Sequence, residues 1–320
     1  MRSPGLRRAA LEAGLLCLGA AALAISVGSV RVSPGSVWRG DPAALAILSL
    51  RLPRVALAAL TGGALAAAGA ALQALLKNPL ADPFLLGTSG GAAAGATLAV
   101  LLGIAPLETP LPAFLGAAGS TFAVALLARR AGRIDLDRLL LSGVTANAFF
   151  SAWILLAFSV SSGPSARSML FWMMGSLAQA TPGEAATLLA YFAVGVLALM
   201  LLAPQLNLFL AGEDTAAALG VSTEKTKAAV FLAAALLAGA ATSFVGIVGF
   251  VGLLAPHLSR FLWGNDQRVL IPTSALLGAA LLVTADALSR FAFSPAEIPI
   301  GAVTALVGVP FFIAALRRSA

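Results

Sequence analysis

Residues 55–76 read VALAALTGGALAAAGAALQALL, an apolar run without a charged side chain that lies between Arg54 and Lys77. A helix needs about 20 such residues to cross the hydrocarbon core of a bilayer. The run is too long for a strand of a transmembrane barrel, which takes about 9–11 residues and alternates apolar with polar side chains. It therefore predicts a membrane-spanning helix.

The whole chain has a similar composition. Of its 320 residues, 60% are hydrophobic and 10% are charged, and the mean hydropathy is +0.97. A soluble domain carries about 25% charged residues, so this chain lacks the polar surface of a water-soluble body. Its one cysteine, Cys17, excludes a disulfide scaffold. The composition predicts an all-α polytopic membrane protein that forms one transmembrane domain over residues 1–320.

Ten apolar stretches mark the candidate spans, and basic residues orient them. The stretches are residues 10–30, 55–76, 90–104, 111–128, 139–160, 184–203, 228–246, 248–262, 270–288 and 301–316. With ten spans, both termini lie on the same side of the membrane. If that side is the cytoplasm, fourteen lysines and arginines lie inside and six outside, which is the bias expected of a membrane protein. The third and eighth stretches are short and should be tilted or covered by neighbouring helices.

A short internal similarity predicts a repeat. Val144-Thr145-Ala146 begins near the start of the fifth span, and Val303-Thr304-Ala305 lies at the start of the tenth. These two spans run in opposite directions in the predicted topology, which is the pattern of an inverted repeat. We therefore expect spans two to five to be related to spans seven to ten.

Small residues recur within the spans. Gly62, Gly63 and Gly69 lie in the second span, and Gly87, Gly91 and Gly95 follow one another at intervals of four residues. Glycines at such positions let helix backbones approach closely inside lipid. We expect ordinary helix packing at these faces; the alternative is that they line a path for a bulky solute.

The spans contain few groups that could do chemistry. Apart from Glu184, the first residue of the sixth stretch, their acids are Glu12 and Asp286. Ion-coupled carriers usually need intramembrane carboxylates or ion sites in broken helices. Asp286 lies four residues before Arg290, and this spacing favours a helix-end ion pair over a proton relay. His257 is the single histidine and has no second ligand nearby in sequence, so we predict no metal site.

Motifs for nucleotide binding and catalysis are also missing. The sequence has no G-x-x-x-x-G-K-[ST] motif, so active transport would need another subunit to bind ATP. It has no His-Glu-x-x-His, Gly-x-Ser-x-Gly or Ser/His/Asp arrangement, which argues against an intramembrane enzyme. The net charge of +7 comes from scattered residues and predicts no nucleic-acid surface. These features favour a transport subunit without a cofactor, with a secondary carrier or channel as the alternative.

One polar interruption is unusually long. Residues 204–226 lie between the sixth and seventh spans on the predicted cytoplasmic side. Glu213 and Asp214 begin a short helix that Gly220 can end, and a second polar start at 222–224 leads into the next span. Two short helices with an apolar face suit docking into a groove of a partner protein; the alternative is a solvated linker.

Together with other motifs, these residues resemble one transporter family. The motifs are RLPR (51–54), GAALQ (69–73), KNPLADP (77–83), LGTSGG (86–91), LLLSGV (139–144), FWMMGS (171–176), GE (212–213), LGV (219–221), GFVGL (249–253), PH (256–257), PAEIPIG (295–301) and PFF (310–312). In this order they resemble the FecCD/BtuC-type permeases, the membrane subunits of type II ABC importers for iron-siderophores, haem and vitamin B12. The resemblance extends from about residue 30 to the end of the chain.

The resemblance implies a set of partners. It implies ten helices per subunit, a homodimer with the translocation path along its axis, two cytoplasmic ATPase subunits that bind ATP and Mg, and a periplasmic or lipid-anchored binding protein. It also implies a bacterial inner membrane location with both termini in the cytoplasm. We expect an iron chelate, siderophore or haem, as cargo because iron carriers make up most of the family. A vitamin B12 permease is the alternative, and a secondary carrier is a weaker one.

The resemblance and the local sequence together predict two sites on the cytoplasmic side. The first contacts the ATPase, and its residues are Gly212, Glu213, Asp214, Ala218, Leu219, Gly220 and Val221. The second is a cytoplasmic gate at Asn78, Pro79 and Leu80. Pro79 interrupts the helix after the second span and frees backbone groups that need protein or water around them. A plain helix-ending turn is the alternative for this second site.

A third predicted site lies on the opposite side. Arg51, Arg54 and Arg290 are three of the six basic residues placed outside, against the positive-inside trend. The resemblance implies that arginines at these positions meet glutamates of the external binding protein. The alternative is that the three arginines hold helix ends at the lipid headgroups.

Overall fold

The computed structural model describes residues 5–28, 30, 33–104, 109–130, 132–292, 294 and 296–319. Arg2 and Arg31, which belong to the basic residues counted above, lie outside these ranges, and so does Pro295 of the PAEIPIG motif. The helices are α1 (Leu6–Ser26), α2 (Pro34–Trp38), α3 (Pro42–Leu75), α4 (Thr88–Leu101), α5 (Pro110–Leu127), α6 (Leu136–Val160), α7 (Gly163–Met174), α8 (Pro182–Ala211), α9 (Glu213–Ala218), α10 (Thr223–Val245), α11 (Val251–Trp263), α12 (Gln267–Phe291) and α13 (Ile300–Ser319). A 3₁₀ helix covers Pro83–Leu86, and a hairpin pairs β1 (Arg129–Arg130) with β2 (Arg133–Ile134).

The fold class is confirmed, because each of the ten predicted stretches coincides with one helix. Seven helices of the described chain are long and apolar enough to cross a membrane: α1, α3, α5, α6, α8, α10 and α12. The short third and eighth stretches form α4 and α11, of 14 and 13 residues. The inverted repeat stays a prediction.

Two helix boundaries differ from those predicted. The second span belongs to a helix of 34 residues that begins at Pro42 and contains Pro53. The sixth span continues through Pro204 to Ala211, so the connection predicted at 204–226 begins only at Gly212. Packed neighbouring helices can satisfy the backbone groups that an internal proline frees, and a single-residue breaker signal does not include that tertiary effect.

The core is built around α3, which packs against α8, α10, α11 and α12. Its residues from Leu57 to Leu75 are almost all buried. Gly62 lies against Gly278 of α12, and Gly69 lies against Gly252 of α11. A Cβ atom on Gly62 or Gly69 would collide with the backbone of the facing glycine, so the predicted role of these glycines in helix packing is confirmed.

Large apolar side chains cover the outer faces of the bundle. In the most apolar 18 residues of α6, only 17% of the residues are buried, and the same fraction is buried in α8. Phe149 and Leu155 of α6 and Leu197 and Leu201 of α8 are among the exposed residues. Faces of this kind are stable only against lipid or another protein.

The polar connections gather at two ends of the bundle. The hairpin end contains the turn after α3, the β1–β2 hairpin and α9, and it includes the pair between Glu12 and the Trp263 indole at 2.9 Å. The arginine end contains the segment after α1, the segment after α12, and all three arginines predicted as a docking site. These two ends carry the candidate functional groups.

Candidate functional site at the two ends

Two glycines delimit α9 at the hairpin end. Gly212 precedes the helix with φ +129° and Gly220 follows it with φ +85°, a region that favours glycine. The Val221 N–H donates to the Ala216 carbonyl at 3.0 Å, and the Gly220 N–H donates to the Ala217 carbonyl at 2.9 Å. This is the hydrogen-bond pattern of a Schellman motif. The short helix and its stop at Gly220 are therefore as predicted.

The outward face of α9 is open in the single chain. Ala216 is fully buried, whereas Asp214, Ala218, Leu219 and Gly220 are exposed, and the Leu219 side chain reaches 64% exposure. None of the ion pairs among the described residues includes Asp214. The face thus combines an apolar side chain with a free acid, which suits contact with another protein.

Behind α9 lies the Lys227 cluster, formed by Lys227, Glu213, Glu224 and Ile134. The Lys227 side chain is only 4% exposed. Its Nζ contacts Glu213 Oε1 at 2.9 Å, Glu224 Oε1 at 2.5 Å and the Ile134 carbonyl at 2.7 Å. The Ile134 N–H in turn donates to Glu224 Oε2 at 2.7 Å. The cluster therefore joins α9, α10 and β2.

An open cavity of about 550 Å³ adjoins this cluster. Its polar walls come from the turn after α3, the hairpin and the start of α6. The charged residues around it are Lys77, Arg130, Arg133, Asp135, Asp137, Glu213, Glu224 and Lys227. Both signs of charge are mixed here, so the cavity is not a dedicated anion or cation site.

The predicted gate residues form a compact turn at the end of α3. Lys77 takes φ +49°. The Asn78 N–H donates to the Gln73 carbonyl at 3.1 Å, and Asn78 Oδ1 accepts from the Leu80 N–H at 2.9 Å. The Leu80 side chain is 45% exposed. This geometry fits the alternative of a helix-ending turn and also leaves an apolar side chain free, so the gate stays a prediction.

Gln73 fastens this turn to α11. Its Oε1 accepts from Arg260 Nη2 at 2.9 Å, and its Nε2 donates to the Gly252 carbonyl at 3.4 Å. Asp82 caps the following 3₁₀ helix by accepting from the Phe84 N–H at 2.8 Å. Burial raises the pKa of the Asp82 carboxyl to about 6, against the opposing effect of that hydrogen bond.

At the arginine end, Asp286 organises the second group of charges. The Asp286 cluster consists of Asp286, Arg54, Arg290 and Glu297. Asp286 is 1% exposed, with Arg54 Nε at 2.8 Å from Oδ1 and Arg290 Nε at 3.0 Å from Oδ2. Arg54 also meets Glu297 through both terminal nitrogens, at 3.0 and 3.1 Å. The helix-end pair predicted for Asp286 and Arg290 is confirmed.

The remaining arginine contacts go to backbone carbonyls in the last turn of α1 and just after it. Arg51 donates to Ile25 at 2.6 Å and to Val30 at 2.5 Å, and Arg290 donates to the carbonyl of Ala24 at 2.9 Å. The structure thus brings the three arginines together, but it buries them, with Arg51 7% and Arg290 6% exposed. Their guanidinium groups bind carboxylates and carbonyls of this chain.

Several of these residues were missed from the sequence. The Lys227 cluster has one local signal in the sequence, which is the spacing of three residues between Glu224 and Lys227. Ile134 lies 93 positions from Lys227 and takes no part in that signal. The pairing of Arg54 with Asp286 joins residues 232 positions apart and leaves no local signal at all.

Comparisons with known proteins agree with the observed fold. The model of the FecCD transport family matches residues 16–318. The chain is 40% identical to the vitamin B12 import system permease protein BtuC of Vibrio cholerae over 95% of this chain and 92% of the relative. It is 37% identical to the hemin transport system permease protein HmuU of Yersinia pestis, again over 95% of this chain and 92% of the relative.

A solved structure shows the same architecture. It is described as an inward-facing conformation of an ABC transporter of the metal-chelate type, and it superposes with a TM-score of 0.87 at 30% identity. The superposition covers 98% of this chain and 99% of the other. The helical bundle described above is therefore the bundle of an ABC transporter permease.

Proposed function

The chain belongs to the FecCD transport family, and on that premise we propose that it is the membrane permease subunit of an ATP-driven importer for a bulky metal chelate. The observation that carries the proposal is the family match, which includes almost the whole chain. Under this proposal the chain itself catalyses no reaction and holds no cofactor. ATP and Mg bind to separate ATPase subunits.

Two ATPase subunits would contact the hairpin end through α9. This proposal draws on the open face of α9, where Leu219 can enter an apolar groove and Asp214 can meet a basic side chain. The predicted coupling residues Gly212 to Val221 all belong to this helix and its two caps. The hairpin end would then face the cytoplasm, together with both termini.

A second copy of the chain would complete the path. The exposed apolar faces of α6 and α8 need a cover, and we assign part of it to the second copy and the rest to the lipid of the bacterial inner membrane. At the mouth of the path, Asn78 would supply a polar contact and Leu80 an apolar plug. Cysteines at positions 78 or 80 should then cross-link between the two copies in one nucleotide state only; cross-linking independent of nucleotide would favour the plain turn.

An external binding protein would dock at the arginine end. Because Arg51, Arg54 and Arg290 are engaged within the chain, their docking role would be indirect: Arg51 and Arg290 hold the end of α1, and Arg54 positions Glu297. The Glu297 side chain is 44% exposed and would be the outward-facing charge of this surface. Charge pairs at the rim of such a surface mainly speed encounter.

The cargo proposal has two members. We place an iron chelate, a siderophore or haem, first, and HmuU is a similar permease whose name gives hemin as its cargo. Cobalamin stands second and is supported by the similarity to BtuC, which is named for vitamin B12. Both are metal chelates that are much larger than a free ion.

The proposal is tested by reconstituting the permease with its ATPase subunits and its binding protein in liposomes. We expect uptake of the cognate chelate that requires ATP hydrolysis and is insensitive to a protonophore. Uptake that follows a proton gradient without ATP would contradict the proposal and favour a secondary carrier. Titration of the binding protein with ferric siderophores, haem and cobalamin then separates the two cargo classes, since that partner sets most of the selectivity.

A further inference from the structure

We propose that Lys227 is a positioning residue for coupling, which holds α9 to α10 and to β2 so that a force on the open face of α9 reaches these elements together. The inference rests on the proposed function, because it gives α9 the contact with the ATPase. It assigns a role to a residue that is outside the predicted coupling set.

The first argument is the saturation of the Lys227 ammonium group. An ammonium has three donors, and here each donor meets an oxygen from a different element: Glu213 at α9, Glu224 within α10 and the Ile134 carbonyl in β2. A buried ammonium is costly unless all of its donors are paired. Loss of the contact with α9 or with β2 would leave a donor of the buried ammonium unpaired, which would destabilise the fold.

The second argument is that α9 has few other attachments. It has six residues, too few for a helix that is stable without tertiary support. Of these, only Ala216 is buried. The Schellman hydrogen bonds fix its C-terminal end to the following turn, whereas Glu213 is the one side chain that fixes its N-terminal end through an ion pair among the described residues.

The third argument is where the joined elements lead. β2 is followed directly by Asp135, which caps α6 by accepting from the N–H groups of Asp137 and Arg138. α10 crosses to the arginine end, where the Val245 carbonyl accepts from the Ser176 N–H at 2.9 Å. A displacement of α9 transmitted through Lys227 would thus reach two long helices at once.

A buried ion pair alone is weak evidence for a stabilising role, because an apolar residue of similar volume is often tolerated in its place. The experiment therefore measures orientation and coupling besides stability. The test variant is Lys227→Met, and the matched control is Lys225→Met, which removes an exposed lysine two residues earlier in the same helix. A conservative variant, Lys227→Arg, keeps the charge.

The first readout needs no partner. A spin label is attached at Ala218→Cys in a Cys17→Ala background, so that the label reports the motion of α9. We expect the label to be more mobile in Lys227→Met than in the parent and unchanged in Lys225→Met. Equal mobility in the parent and in Lys227→Met would overturn the proposed attachment whether or not the protein is an importer.

The second readout is the amount of cargo transported per ATP hydrolysed in the complete transporter. We expect Lys227→Met to lower this ratio at least about fivefold, which is the fold-change that the weakest typical allosteric couplings produce. Lys227→Arg should recover part of the loss. A ratio equal to that of the parent would overturn the proposal. A parent complex that does not transport with ATP would instead contradict the proposed function, while the label result would still decide the attachment.

A variant that fails to fold does not end the test. Glu213→Gln removes the charge of the α9 contact, whereas its amide oxygen can still accept from the Lys227 ammonium. It leaves Lys227 paired with Glu224 and Ile134, so it should fold and show a smaller loss of transport per ATP in the same direction. Combined with Lys227→Met, it should add little further loss, because both changes act on the same attachment. Fully additive losses, or none in Glu213→Gln, would contradict the role of Lys227.

Discussion

The charge clusters at the two ends of the bundle are centred on opposite charges. At the hairpin end a single cation, Lys227, is buried, and its partners Glu213 and Glu224 remain partly exposed. At the arginine end a single acid, Asp286, is buried between Arg54 and Arg290, which are themselves almost covered. The Lys227 cluster therefore leaves its acids partly exposed, whereas the Asp286 cluster binds its arginines within the chain and leaves only Glu297 partly exposed.

The difference indicates a division of roles. The Lys227 cluster joins two short elements, α9 and β2, to one long helix, α10. Because α9 and β2 are short, they can shift together with a modest loss of packing. The Asp286 cluster joins long helices, α3 and α12, and Arg51 and Arg290 add the last turn of α1. We therefore expect the hairpin end to carry mechanical coupling and the arginine end to carry stability.

The largest expected effect is on stability at the arginine end. Asp286→Ala leaves Arg54 and Arg290 without their shared carboxylate, and removal of one partner from a buried ion pair typically costs about 3–5 kcal/mol. Thermal unfolding of the detergent-solubilised permease should show a clear fall in the unfolding temperature. An unfolding temperature equal to that of the wild type would contradict the stabilising role of the cluster.

The second effect concerns pH and lies at the hairpin end. The pKa of Asp82 is about 6 in the fold against an ordinary 3.8, so the folded chain holds this proton more strongly than the unfolded chain. The resulting stability is present at low pH and is lost as the pH rises through about 6.

Asp82→Asn keeps a capping side chain but cannot titrate. Between pH 3.8 and about 6, the unfolding temperature of the wild type should fall relative to that of Asp82→Asn. Parallel curves for the two proteins over this range would show that Asp82 does not titrate with a raised pKa. The comparison of the two ends would then depend only on the ion pairs of the Lys227 and Asp286 clusters.

The smallest expected effect on stability compares one exposed acid from each end. Glu213 and Glu297 are exposed to a similar degree, 38% and 44%. Each change to Gln should therefore lower the free energy of unfolding by only about 0.2–1 kcal/mol.

Their functional effects should differ. Glu213→Gln should lower transport per ATP, whereas Glu297→Gln should change the affinity for the binding protein and the dependence of that affinity on salt. If Glu297→Gln lowered transport per ATP at a saturating concentration of binding protein, the division of roles between the two ends would be wrong.

The sequence predicts what depends on local composition. Apolar runs locate ten of the helices, the glycines of the second stretch predict close helix packing at Gly62 and Gly69, and Gly220 predicts the end of α9. The pair between Asp286 and Arg290 follows from a spacing of four residues. Each of these features is determined within about one helix.

The rest depends on residues far apart in the chain. Arg54 meets Asp286 across 232 positions, and Lys227 meets Ile134 across 93. The same tertiary packing lets α3 include Pro53 and α8 include Pro204. Burial of Arg51 and Arg290 also follows from contact with the end of α1, and no pattern near either arginine predicts that cover.

The most direct test of the coupling role of the hairpin end uses Asp214→Lys in the reconstituted transporter. Asp214 is exposed and outside the Lys227 cluster, so the change should leave membrane insertion intact. Reversal of one charge at a protein interface typically costs several kcal/mol, which predicts that transport per ATP falls by roughly tenfold or more while ATP hydrolysis continues. Asp137→Lys makes the same charge change on an exposed acid of the same end and should keep the wild-type ratio. A wild-type ratio in Asp214→Lys would contradict the assignment of α9 as the element through which ATP hydrolysis drives transport.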